Sequence, residues 1–126
     1  MGGYDKSTRE GSDQNYWVNI RTGTTGRRTP IPVGRFGFAA CSYGKFIFVL
    51  GGMKESVQVD NGQSVPDSLN KCHAYDIIKD KWNDMPDLPE GRIGSTAIVI
   101  NQTLFCIGGQ GKRQSIFALS LQTPAT

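Results

Sequence analysis

The chain repeats itself. Tyr16–Gly52 aligns without a gap on His73–Gly109 at an offset of 57 residues. Gly34-Arg35-Phe36-Gly37 falls on Gly91-Arg92-Ile93-Gly94, Pro32 on Pro89, Phe46–Leu50 on Thr103–Ile107, and Gly51-Gly52 on Gly108-Gly109. A third Gly-Gly, Gly2-Gly3, again follows an apolar residue, Met1. Several matches at one offset mean that a single supersecondary unit recurs. Such a unit buries its apolar faces by stacking on its neighbours, so the repeat dictates a stack of like sheets.

Each unit reads as antiparallel strands. Phe36–Tyr43 and Ile93–Ile100 are apolar segments rich in small residues, suited to a crowded inner strand. Phe46–Leu50 and Leu104–Ile107 are continuous apolar runs, as expected of strands buried on both faces. The two-residue links Gly44-Lys45 and Asn101-Gln102 carry the residue types that tight hairpins need for positive φ. A third strand is predicted over Cys72–Ile78, matching Tyr16–Arg21 and Ile116–Leu121, and a fourth is centred on Trp82. In the first unit Thr25 stands where Trp82 stands in the next, and Val18 replaces Tyr75, so the outer strand there is degenerate. Sixteen glycines against six prolines agree with many turns, glycine being well above its usual share.

The order of strand, hairpin, apolar strand ending in Gly-Gly, then a spaced Tyr and Trp resembles the kelch repeat. It reads Arg35…Leu50-Gly51-Gly52…Tyr75-Asp76…Trp82…Met85-Pro86 in one unit and Arg92…Ile107-Gly108-Gly109 in the next. The resemblance implies an all-β fold of kelch-type β-propeller blades: about two and a half four-stranded antiparallel blades, an incomplete propeller, since closure takes roughly four to eight. The expected division is the end of one blade with a degenerate outer strand over 1–34, a complete blade with a long 53–71 loop over 35–91, and a partial blade lacking its outer strand over 92–126. The expectation is therefore a fragment, with exposed faces that favour self-association.

The resemblance also implies a function. A protein–protein interaction module is expected, cut from a larger adaptor such as a ubiquitin-ligase substrate receptor with a BTB or F-box domain. In such relatives the face bearing the post-Gly-Gly loops captures peptides, and an arginine opening the inner strand can contact them. The candidate partner-binding residues here are Arg35, Arg92, Lys54, Lys112 and Arg113. The competing reading of the two inner-strand arginines is structural, hydrogen-bonding to backbone or to an adjacent blade. Lys45, in a hairpin, lies on the opposite face by strand count. The alternative function is a fragment of a kelch-fold propeller enzyme whose catalytic residues lie outside this chain.

Chemistry within the chain is sparse, and no catalytic residue, metal site or cofactor is assigned. The copper-dependent galactose oxidase type needs several histidines, and this chain has one, His73. Cys72 beside it points to the opposite face of a strand, so the two make a poor nucleophile–base pair. Gly108-Gly109-Gln110-Gly111-Lys112-Arg113 lacks the Ser or Thr and the glycine spacing of a phosphate loop. Asn101-Gln102-Thr103 is a glycosylation sequon placed in a tight hairpin, where no glycan is expected. Three cysteines with no CxxC suggest neither a disulfide framework nor zinc, and Cys41 and Cys106 read as small core residues. The formal charge of +3 is too small to argue for nucleic acid. No apolar run approaches the roughly 20 residues of a membrane span. The N-terminus has no secretory pattern, and Lys6 stands where a myristoylation start wants Ser or Thr. A cytoplasmic protein without a nucleic-acid or membrane partner is expected.

Overall fold

A computed structural model describes residues 1–58, 64–110 and 116–121. Among them there is no helix, and all regular structure is antiparallel β. The strands are β1 (Tyr4–Asp5), β2 (Glu10–Gly11), β3 (Asn15–Val18), β4 (Thr25–Arg28), β5 (Ala39–Tyr43), β6 (Phe46–Leu50), β7 (Met53–Gln58), β8 (Ser64–Ser68), β9 (Cys72–Asp76), β10 (Lys81–Met85), β11 (Thr96–Ile100), β12 (Thr103–Ile107) and β13 (Ile116–Ser120).

The central sheet is a four-stranded meander in the order β10-β9-β6-β5, and the last sheet has the order β11-β12-β13. The register is the same in both: Cys41 lies opposite Phe48 and Ile98 opposite Phe105. The 57-residue repeat in sequence is thus a repeat of strand pairing. Both hairpins obey the expected turn chemistry. In the first link only Gly44 has positive φ, at +57°, as in a turn with glycine at its first central position, while Asn101 and Gln102 both have positive φ, at 49° and 60°, the requirement of a type I′ link. All three Gly-Gly pairs also have positive φ, from 65° to 108°, which lets the chain turn off a buried strand where a side chain would be strained.

The two sheets stack face to face. Ala39, Phe48, Leu50, Cys72 and Ala74 of the central sheet meet Leu104 and Cys106 of the last, with Ala97, Val99 and Leu119 packed against them. Alternation along each strand sets this contact. On β12, Leu104 and Cys106 turn inward while Thr103, Phe105 and Ile107 turn away. Cys106 and Cys72 are buried thiols and Cys41 is partly buried, all unbridged. Burial pushes Cys72 up to about 11, so it packs as a neutral small residue.

The first sheet is the pair β3-β4. Its outer strand forms at Thr25–Arg28 although no tryptophan occupies position 25. Arg28 and Thr29, at the end of that strand, supply the contacts across the seam. The Tyr75 hydroxyl accepts from Arg28 Nε at 2.8 Å and donates to Asp80 Oδ1 at 2.5 Å. Asp80 Oδ1 also accepts from the Thr29 amide at 2.9 Å, and Trp82 Nε1 donates to the Thr29 carbonyl at 2.9 Å. Tyr75 and Trp82 pack with ring centroids 4.8 Å apart. The spaced aromatics therefore sit at the seam, and their polar ends find partners there. The Tyr75 hydroxyl and then the Thr29 amide hold the Asp80 carboxyl below its ordinary range.

Candidate protein-binding face

The loops that follow the first two Gly-Gly pairs leave the same end of the sheets, and they are not irregular. Each folds into a hairpin, β1-β2 and β7-β8, and the two join edge to edge through Glu10 and Glu55 into a fourth sheet, β1-β2-β7-β8. Sequence reading places both segments on one face as loops; the main-chain pairing between them has no local signal. Tyr4 braces the arrangement by packing edge-on against Phe36, centroids 4.9 Å apart.

The inner-strand arginines seat this hairpin sheet. Arg35 N donates to Ser12 O at 3.1 Å and Arg35 O accepts from Gly3 N at 2.9 Å. One repeat on, Arg92 N donates to Leu69 O at 3.2 Å and Arg92 O accepts from Gly52 N at 2.7 Å. Each arginine backbone thus clasps the two residues that flank the preceding hairpin. The fit leaves no spare room. A Cβ on Gly11 would come within 2.3 Å of Arg35 Cα, so only glycine permits this approach.

Both arginine side chains are buried, Arg35 at 0% exposure and Arg92 at 2%. Arg35 Nε donates to Val33 O at 3.0 Å, and Nη1 donates to Gly51 O at 3.2 Å and to Lys71 O at 3.0 Å. Its Nη2 lies 2.7 Å from His73 Nδ1. Arg92 Nη1 donates to Gly108 O at 2.8 Å. In this chain the guanidiniums face main-chain carbonyls: Arg35 stitches the Gly-Gly exit to the linker, and Arg92 holds the Gly108 carbonyl. The signal was in the sequence: each arginine precedes the first glycine of its pair by 16 residues. Of the other candidates, Lys54 is exposed on β7. Lys112 and Arg113 lie outside the described residues. Lys45 sits in the opposite turn, 3.3 Å from Asp76.

Beside the hairpin sheet is a cleft of about 330 Å³ lined by Asp5, Glu10, Asp13, Lys54 and the backbone of Gly11 and Gly34. It is polar, with three carboxylates and one ammonium. The Ser7 hydroxyl and amide hold the Asp5 carboxyl below its ordinary value. Among the described residues, no three of His, Cys, Asp and Glu cluster as metal ligands. No helix among them is long and apolar enough to cross a membrane.

Comparison with known proteins agrees with this geometry. Residues 34–89 match the family model described as Kelch motif. The chain is 32% identical over 80 residues to Kelch-like protein 40 of Xenopus laevis, covering 64% of this chain and 11% of that protein. It is 35% identical over 94 residues to Kelch-like protein terF of Aspergillus terreus, covering 72% of this chain and 19% of the relative. Human Kelch-like protein 34 is 28% identical over 94 residues, 71% of this chain and 14% of its own. The chain therefore spans less than a fifth of these curated relatives. The solved structure of YjhT superimposes with a TM-score of 0.62 at 18% identity, covering 86% of this chain and 33% of that one. The chain is a partial kelch-repeat protein, and its stacked sheets are blades of a kelch-type propeller.

Proposed function

We propose that this kelch-repeat chain is a protein-interaction module, a non-enzymatic part of a larger cytoplasmic adaptor such as a ubiquitin-ligase substrate receptor. The pairing of the two post-Gly-Gly hairpins into one sheet carries this reading. A platform of main chain, set beside a polar cleft, is what a peptide or protein partner can read, because loops on a fixed scaffold are where recognition concentrates. Lys54 and the cleft carboxylates are the proposed contacts. Arg35 and Arg92 act on binding only through the platform they seat.

A photo-crosslinking residue placed at Lys54 should capture a discrete partner in cells, and the same residue at Lys45 should not. A Gly11→Ala substitution, which lifts the β1-β2 hairpin, should abolish capture from position 54. Equal capture from both positions would overturn the assignment of the face. For the adaptor role, ubiquitination of the captured protein should rise with expression of the full-length gene product, and unchanged ubiquitination would remove that role.

Self-association belongs to the same proposal. Ile98, Ile100, Ile107 and Ile116 are each 42–66% exposed on the outward face of the last blade. By the repeat, Ile98 and Ile107 occupy the positions of Cys41 and Leu50, which in the central blade pack beneath its neighbour. A second copy is the proposed cover. Sedimentation velocity across a dilution series should show reversible association that an Ile98→Lys/Ile107→Lys double variant removes. A monodisperse monomer at every concentration would refute it.

A further inference from the structure

His73 is the only histidine, and it is 5% exposed at the centre of the loop-bearing end of the complete blade. Its Nδ1 lies 2.7 Å from Arg35 Nη2. A guanidinium nitrogen can only donate, so Nδ1 accepts and the ring is neutral with its proton on Nε2. That Nε2 lies 3.4 Å from Asp84 Oδ1, and the ring meets Trp82 edge-on at 6.5 Å. The charged groups facing the imidazole are Arg35, Asp84, and the mutually paired Lys71 and Asp87, whose ends are 3.0 Å apart.

Arg35 is the residue on which the hairpins rest. Its main chain bonds Gly3 and Ser12 at the two ends of the β1-β2 hairpin, and the adjoining Phe36 exchanges main-chain bonds with Met53 at the start of β7. Its side chain bonds Lys71, just past the β7-β8 hairpin. We propose that the Arg35–His73 pair is a proton-sensitive latch, and that protonation of His73 unseats the hairpin sheet from the blade.

A proton on Nδ1 would replace the lone pair that Arg35 uses and set two cations 2.7 Å apart. Asp84 is a weak counterweight because its side chain is 95% exposed. Burial, and then Arg35, lower the histidine from its ordinary 6.5. With the folded pKa depressed, the opened form takes up the proton first. The seated state is therefore fully favoured above pH 6.5 and loses ground as pH falls below it. An opened histidine of ordinary pKa is about ten-to-one protonated at pH 5.5, so the opening equilibrium should rise by up to about tenfold between pH 7.5 and 5.5. The next repeat lacks the device. The register that puts His73 opposite Val49 puts Phe117 opposite Cys106. The latch concerns the seating of the hairpins and holds whether or not they bind a partner.

The test is amide hydrogen exchange at pH 7.5 and 5.5, corrected for intrinsic rates, with an NMR titration of His73. The Gly3, Arg35 and Met53 amides should open up to about tenfold more readily at pH 5.5. The Ile93 and Gln110 amides, which pair in the next blade, should not change. His73→Gln, which keeps an acceptor and cannot titrate, should abolish the acid opening. Should that variant not fold, exposed Asp84→Asn serves instead: it removes a group that raises the seated histidine, so it should move the seated His73 titration to lower pH and leave the acid opening at pH 5.5 at least as large. A His73 that titrates at or above 6.5, acid opening unchanged in His73→Gln, or acid opening smaller in Asp84→Asn than in the parent chain would each overturn the latch.

Discussion

Arg35→Ala should cost about 3–5 kcal/mol in folding stability, because acceptors left without a donor cost about 1–3 kcal/mol each where they are buried. Three carbonyls, those of Val33, Gly51 and Lys71, lose a charged donor at once, and His73 Nδ1 loses its own. The bonds to Gly51 O and His73 Nδ1 are buried, so those lost donors carry a desolvation penalty, while the bonds to Val33 O and Lys71 O are part-buried. Arg35→Lys should recover only part of the loss, because one ammonium cannot match a planar fork that serves four acceptors. Lys45→Ala is the control. Its ion pair with the buried Asp76 is half-exposed on the lysine side, and Asp76 keeps the Ile78 and Lys79 amides as donors, so the loss should be about 0–1 kcal/mol. Chemical denaturation of the three variants decides the matter. An Arg35→Ala loss no larger than that of Lys45→Ala would show that the stitch is dispensable.

Leu104→Ala should cost about 2–5 kcal/mol, toward the upper end because the site is enclosed from both blades. Leu104 is 0% exposed, and it packs in the cluster with Ala39, Phe48, Leu50 and Leu88. It lies opposite Val99 on one side and Leu119 on the other. Its loss would leave a cavity between two rigid sheets whose spacing is held by main-chain pairing, so collapse around the gap is limited. Against a total of about 5–15 kcal/mol for a domain, this should visibly lower the melting temperature. Ile100→Ala, half-exposed on the outward face of the same blade, should have a much smaller effect. Equal effects at the two positions would mean that the blade-on-blade contact does not carry the fold.

The two variants probe features that were unequally legible. The blade contact at Leu104 follows from β12's apolar run, since a strand apolar on both faces must be covered on both. The role of Arg35 was only half visible. Its recurrence at the inner-strand position marks it, but that position is equally consistent with a partner-facing arginine and a structural one. Burial decides between them, and burial depends on segments distant in sequence. Lys71 lies 36 residues from Arg35 and His73 lies 38 away.

By itself the sequence determined the strands of the two stacked blades, their order, and the register of the two tight hairpins. It could do so because turn chemistry at Gly44-Lys45 and Asn101-Gln102, and apolar runs such as Phe46–Leu50, are local properties that recur at a constant offset. Only the tertiary structure decided that the two post-Gly-Gly segments are hairpins zipped into one sheet, that Arg35 and Arg92 are buried beneath it, and that His73 accepts from Arg35. Those facts rest on hydrogen bonds between segments that meet only once the blades have stacked, and a repeat pattern specifies equivalent positions without specifying which distant groups come to lie against them.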